Sequence, residues 1–163
     1  MKNICIVNYG LGNVRSVKNS ILRLGIDVCI SDKKEDLQSS SHLIIPGVGS
    51  FESGMRGLER NNIIDILNEE VLAKKKPVLG ICLGMQLLSS ISYENGEHQG
   101  LDWISGSINK INNNNKIEKN FRLPHMGWND TINDPDSILM RGLEAKSIFT
   151  LAATSFTLSI VLL

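Results

Sequence analysis

Pro77–Leu88 reads PVLGICLGMQLL, and the fold follows from how those twelve residues are divided. Pro77, Val78, Leu79 and Ile81 form a short apolar run, the length of one buried parallel strand. From Leu83 the chain turns to residues that favour helix. Between the two stands Cys82, framed by Gly80 and Gly84 as Gly-x-Cys-x-Gly, the thiol counterpart of a nucleophile elbow. A nucleophile on a sharp strand-to-helix turn occupies a strained backbone conformation, and Cβ atoms on its neighbours would strike the crossing strand or helix. The turn also sets Cys82 at a helix N-terminus, which favours thiolate over thiol. A buried structural cysteine is the ordinary alternative. The paired glycines and the strand-to-helix switch favour the nucleophile.

Upstream, the chain supplies the rest of a parallel α/β sheet. Ile4–Val7 and Ile26–Ile30 read as buried strands. Val14, Val17, Ile21 and Leu24 recur at helical spacing between them, and Gly25 stops that helix. A polar helix around Glu35–Gln38 leads to a third strand, Leu43–Ile45. Asn61 is placed to cap a further helix carrying Ile63, Ile64, Leu67, Val71 and Leu72, with Lys74–Lys76 at its negative end. This order predicts a mostly parallel sheet with helices on both faces and ligands gathered at the carboxyl ends of the strands. Downstream, residues 89–100 read as a polar loop, Leu101–Ile111 as strand, Asn112–Asn115 as a hairpin tip and Phe121–Ile132 as extended chain. Ser147–Leu163 is apolar and uncharged, somewhat short for a membrane span and richer in strand formers.

Bulk composition narrows the function. The 163 residues carry 17 basic and 17 acidic side chains, a balance that argues for neither nucleic-acid nor anionic-membrane binding. Three cysteines without close spacing fit a reducing compartment, with Cys5 and Cys29 in the core. The N-terminus lacks a signal peptide's pattern, so a cytoplasmic location is expected. The Gly10-x-Gly12 turn lacks the third glycine of a dinucleotide site, since Arg15 stands there, and no His/Cys cluster has metal spacing. No cofactor is expected.

The elbow needs an oxyanion hole. One donor is the amide of Leu83; the loop Pro46-Gly47-Val48-Gly49-Ser50-Phe51 is placed to bring a second. A base is harder to find. Of His42, His98 and His125, none is singled out by position as the partner of Cys82.

Four motifs in one order, NYGLGN (8–13), PGVGSF (46–51), GICLGMQLL (80–88) and PHMGWN (124–129), resemble the glutaminase subunit of imidazole glycerol phosphate synthase, a class I glutamine amidotransferase. The resemblance covers residues 2–146 and implies a flavodoxin-like α/β fold. It implies glutamine hydrolysis through a thioester on Cys82, with Gly49 and Leu83 as oxyanion donors and Gly47, Gln86 and Glu94 binding the substrate. It further implies a heterodimer with a (β/α)₈-barrel cyclase subunit that takes up the ammonia in histidine biosynthesis. Asn13, Pro124, His125, Met126, Trp128 and Asn129 would lie in that interface. Paralogues that serve surface-polysaccharide biosynthesis, or a partner-binding remnant without catalysis, are the alternatives. Family members carry a His-Pro-Glu segment supplying the triad's base and acid, and no such segment occurs in these 163 residues. The expectation is an amidotransferase domain over 1–146, incomplete through truncation or a frame shift near Ser147, followed by an atypical tail over 147–163.

Overall fold

The computed structural model describes residues 4–109, 125–132, 137, 141–142, 146–153 and 160–162. Four short apolar runs become parallel strands: β1 (Ile4–Val7), β2 (Val28–Ser31), β3 (His42–Ile45) and β4 (Val78–Ile81). They lie in the order β4-β3-β1-β2, and β10 (Ile160–Leu162) adds antiparallel to the outer side of β4. The register sets Cys5 opposite Leu43 on one side and Cys29 on the other.

Both sheet faces are covered, which is why these strands are mostly apolar and do not alternate. Cys5, Val7, Leu43, Ile45 and Val78 face a core shared with Leu37, Phe51, Leu58 and Leu67. Ile6, Ile44, Val28, Leu79 and Ile81 face a smaller one with Val14, Val17 and Ile21. Those last three come from α1 (Val14–Arg23), capped by Asn13, whose Oδ1 accepts from Ser16 N at 3.2 Å. The expected parallel α/β architecture with helices on both faces is thus present.

Several boundaries differ from the sequence reading. α1 ends at Arg23, which leaves Leu24 75% exposed instead of on the apolar stripe. A helix absent from that reading, α3 (Phe51–Arg60), follows the Pro46–Ser50 loop. Asn61 closes α3 at its C-terminus and does not cap the next helix; its Nδ2 donates to Asn8 O at 3.0 Å. The following helix, α4 (Ile64–Asn68), starts from Ile63 and passes into a π-helical turn, Glu69–Ala73. Residues 89–100 are not simply a loop: β5 (Ser89–Ser92) and β6 (His98–Gln99) pair antiparallel, and β7 (Ile104–Ile108) runs parallel beside β5.

Two of the lysines after the π turn, Lys74 and Lys76, are tied to one buried carboxylate. Glu70 is 1% exposed, and its carboxylate meets Lys74 Nζ at 2.7 Å and Lys76 Nζ at 2.6 Å. Lys76 also donates to the carbonyls of Leu37 and Gln38 at the end of α2 (Lys34–Ser39). Burial pushes the Glu70 carboxyl up, but hydrogen bonds from Lys74 and Lys76, then their charges, outweigh it and hold it below the usual glutamate range. A depressed folded-state value stabilises fully above the unfolded pKa and is lost as pH falls through the folded one. Glu70→Ala, which strands the buried Lys76 ammonium, is expected to cost about 3 kcal/mol in urea unfolding at neutral pH. That difference should shrink in acid below the ordinary glutamate range; an undiminished gap there would contradict the ion-pair account.

The chain divides into two compact units, residues 1–109 with 160–163, and residues 110–159. Within the second, β8 (His125–Ile132) and β9 (Lys146–Ala153) form an antiparallel hairpin with His125 opposite Ala153 and Ile132 opposite Lys146. The apolar stretch expected to suit a strand therefore contributes to β9 and supplies β10. No helix among the described residues is long and apolar enough to cross a membrane. The expected hairpin tip at Asn112–Asn115 lies outside the described residues, as does Pro124.

Candidate active site

Cys82 follows β4 directly and is exposed, with φ +54° and ψ −118°. A left-handed conformation in a residue with a Cβ costs on the order of 1–3 kcal/mol and persists only where its surroundings enforce it. Here they do. A Cβ on Gly80 would stand 2.6 Å from Met85 Cα, and one on Gly84 only 1.8 Å from the carbonyl oxygen of Ile45. The returning helix α5 (Leu83–Gln86) is pressed against the strand it came from and against the end of β3, so both flanking positions admit only glycine. The helix that follows is shorter than the sequence suggests. α5 has four residues, so Cys82 has beside it first-turn amides without intrahelical acceptors, and little macrodipole.

The loop after β3 closes on the same turn. Gly47 is buried, and a Cβ there would lie 2.6 Å from Gly84 N and 2.7 Å from Leu83 Cβ. Gly49, two residues on, is exposed at φ +107° with no heavy atom within 4 Å of its Cβ position. The loop runs into α3, where Ser50 Oγ accepts from Ser53 N. Glu94, in the turn between β5 and β6, accepts from Phe51 N at 2.8 Å through Oε2. Cys82, Leu83, Gly47, Gly49 and Glu94 are thereby linked through one loop, and half-buried Gln86 lies one helical turn past the cysteine. Glu94 reaches the site as the cap of a helix that sequence reasoning missed.

Strand order explains why these loops meet. The chain passes from β1 to β2 on one side and returns to β3 on the other, so the switch point lies between β1 and β3, where α/β sheets open a crevice. The Asn8–Asn13 turn leaves β1 there and the Pro46–Ser50 loop leaves β3. A Cβ on Gly12 would come within 3.3 Å of Gly47 N and of the Pro46 carbonyl carbon. The Tyr9 hydroxyl donates to Pro46 O. Sequence reasoning assigned Tyr9 no role; its signal was a large aromatic residue set in a glycine turn directly after a buried strand.

The histidines are dispersed. His42 is exposed at the start of β3, the opposite end of the sheet from Cys82, and bonds Ser41 Oγ. His98 lies in β6, not in a loop, with Nε2 buried and lacking a hydrogen-bond partner. Of the expected interface residues, Asn13 is exposed and caps α1. His125, Met126, Trp128 and Asn129 lie on β8, and Trp128 is 75% exposed.

Comparison with known proteins adds the following. The family model described as glutamine amidotransferase class-I matches residues 5–152. The imidazole glycerol phosphate synthase subunit HisH 2 of Methanococcus maripaludis is 48% identical over 126 residues, 77% of this chain and 60% of that protein. That of Vibrio vulnificus is 42% identical over 147 residues, 90% of this chain and 67% of that protein. A crystal structure of a glutamine amidotransferase superposes with a TM-score of 0.67 at 19% identity, covering 91% of this chain and 70% of that one. The chain thus spans about three fifths to two thirds of the length of these curated relatives.

Proposed function

The chain belongs to the class-I glutamine amidotransferases, within the family of the imidazole glycerol phosphate synthase subunit HisH, and from that premise we propose that it is a glutaminase subunit acting through Cys82. The single observation that carries the reading is the enforced φ of +54° at Cys82, with the Gly47 loop packed on the residues that follow it. In this reading the Cys82 thiolate attacks the side-chain amide carbon of glutamine. The S–C bond forms, and the carbonyl oxygen takes up negative charge facing the amides of Leu83 and Gly49. Collapse of that intermediate breaks the C–N bond, and the departing nitrogen takes its proton from a general acid, the role of the His-Pro-Glu histidine that these 163 residues do not contain. Water then attacks the thioester carbon and gives its proton back to that same group acting as base. The C–S bond breaks, and glutamate leaves with the thiolate restored.

Gly47, Gln86 and Glu94 bind the substrate's amino-acid end, and a carboxylate already in the site is suited to an α-ammonium group. Ammonia passes to a (β/α)₈-barrel cyclase subunit, and Asn13 in one unit and Pro124, His125, Met126, Trp128 and Asn129 in the other are the contact residues that the family resemblance implies. The exposed Trp128 supports this, since large aromatic residues anchor interfaces.

A diazoketone analogue of glutamine tests the reading. It is expected to leave one adduct, on Cys82, formed more slowly as free glutamine is added. Cys5 is fully buried and Cys29 half-buried, so neither should compete. Labelling of Cys29 at an equal rate, or no protection by glutamine, would overturn the assignment.

A further inference from the structure

Tyr9 stands two residues past the end of β1, yet is only 2% exposed. Its O–H donates to the carbonyl of Pro46, 37 residues away, which opens the peptide leading into Gly47. A Cβ on Gly47 would lie 2.7 Å from that hydroxyl, as close as it would come to Leu83 Cβ. The phenol, the Pro46–Gly47 peptide and the first turn of α5 are therefore one packed layer beneath Cys82. The tyrosine is braced from behind. A Cβ on Gly57 of α3 would stand 2.4 Å from Tyr9 O and 3.0 Å from ring Cδ2. Asn61 ties the preceding residue, Asn8, to the same helix. Gly49, at the far end of the loop, has open space around it.

We infer that Tyr9 is the positioning residue of the oxyanion loop: its hydroxyl pins Pro46–Gly47 to the nucleophile turn and leaves Gly49 as the hinge that carries the second donor. The inference rests on the glutaminase reading above and adds to it the part that keeps one end of the loop in place. Burial, and after it the charge of Cys82, push the phenol well above the ordinary tyrosine value. Tyr9 therefore stays an O–H donor throughout the range in which a cysteine thiol ionises.

Tyr9→Phe removes one oxygen and keeps the ring, leaving the Pro46 carbonyl without its donor. The assay uses the 4-nitrophenyl γ-ester of glutamate under single-turnover conditions. Cys82 sulfur bonds to the γ-carbon, the C–O bond breaks, and the electron pair leaves on nitrophenolate, so no general acid is needed. Y9F is expected to acylate about ten- to a hundredfold more slowly, with the half-saturating ester concentration unchanged. Alkylation of Cys82 by iodoacetamide, which uses the thiolate but no oxyanion hole, should keep its rate. Equal acylation in the two proteins would overturn the inference. So would acylation and alkylation falling together, the signature of general loosening. If the unmodified chain alkylates at Cys82 yet gives no nitrophenolate burst, the glutaminase reading fails first and takes this one with it.

Discussion

Glutamate release from glutamine by the 163-residue polypeptide, assayed with the proposed cyclase subunit, is expected to be on the order of 10⁴- to 10⁶-fold slower than by the same polypeptide carrying a His-Pro-Glu ending. The reason lies in the proton inventory. Thiolate attack on an amide stalls unless the nitrogen is protonated as it leaves, because an amide anion is a far worse leaving group than the thiolate that would otherwise be expelled again. Cys82 and the oxyanion donors supply charge stabilisation but no proton. Neither His42 nor His98 takes the place of the base: His42 stands at the wrong end of β3, and His98 Nε2 is enclosed without a partner among the described residues. Tyr9 is near enough to feel the charge of Cys82, but its raised pKa and its bond to Pro46 O suit it to holding the loop, not to exchanging protons. Comparable turnover by the two polypeptides would mean that an internal residue supplies the acid, and His98→Ala would then identify or eliminate the first suspect.

The second large effect is on folding. Gly84→Ala would put a methyl group 1.8 Å from the carbonyl oxygen and 2.6 Å from the carbonyl carbon of Ile45, both backbone atoms of a central strand. No rotamer relieves that contact; either β3 or α5 must move, and with α5 go Leu83, Leu87 and their places in the main core. Overpacking ordinarily costs 1–3 kcal/mol, and a backbone-on-backbone collision belongs at the exceptional end, about 4 kcal/mol or more. Gly106→Ala is the control. It lies in β7 with no heavy atom within 4 Å of its Cβ position, and is expected to be neutral or slightly stabilising. Urea midpoints measure both. If the two variants unfolded at the same urea concentration, the elbow would not be packed as described.

What proved legible in the sequence, and what did not, follows from the distance over which each feature is specified. Ile4–Val7, Leu43–Ile45 and Val78–Ile81 are strands because a strand buried on both faces needs an unbroken apolar run, and that is a local property. The elbow was legible for the same reason. Gly80, Cys82 and Gly84 lie within five residues, and the collision that excludes a Cβ at Gly80 comes from the turn itself, whereas the one at Gly84 comes from Ile45 at the end of β3. α3 was not legible, because FESGMRGLER contains two glycines that each disfavour helix by about 1 kcal/mol relative to alanine. Their purpose appears only when Tyr9 is found against Gly57 and the Leu87 side chain against Gly54. Polar Ser89–Ser92 failed as a strand in the same way: its partners, β6 and β7, arrive later in the chain, and Ser89 and Ser92 are buried by that pairing. The amino-acid sequence by itself determined the parallel α/β class and the cysteine turn with its glycine frame, since each is written in neighbours along the chain. Only the tertiary structure decided that Tyr9 holds Pro46 and that Glu94 caps α3 at Phe51, because those bonds join residues 37 and 43 positions apart. Such pairs meet where the chain switches direction between β1 and β3 and where α3 runs back across the sheet, and no local pattern records that encounter.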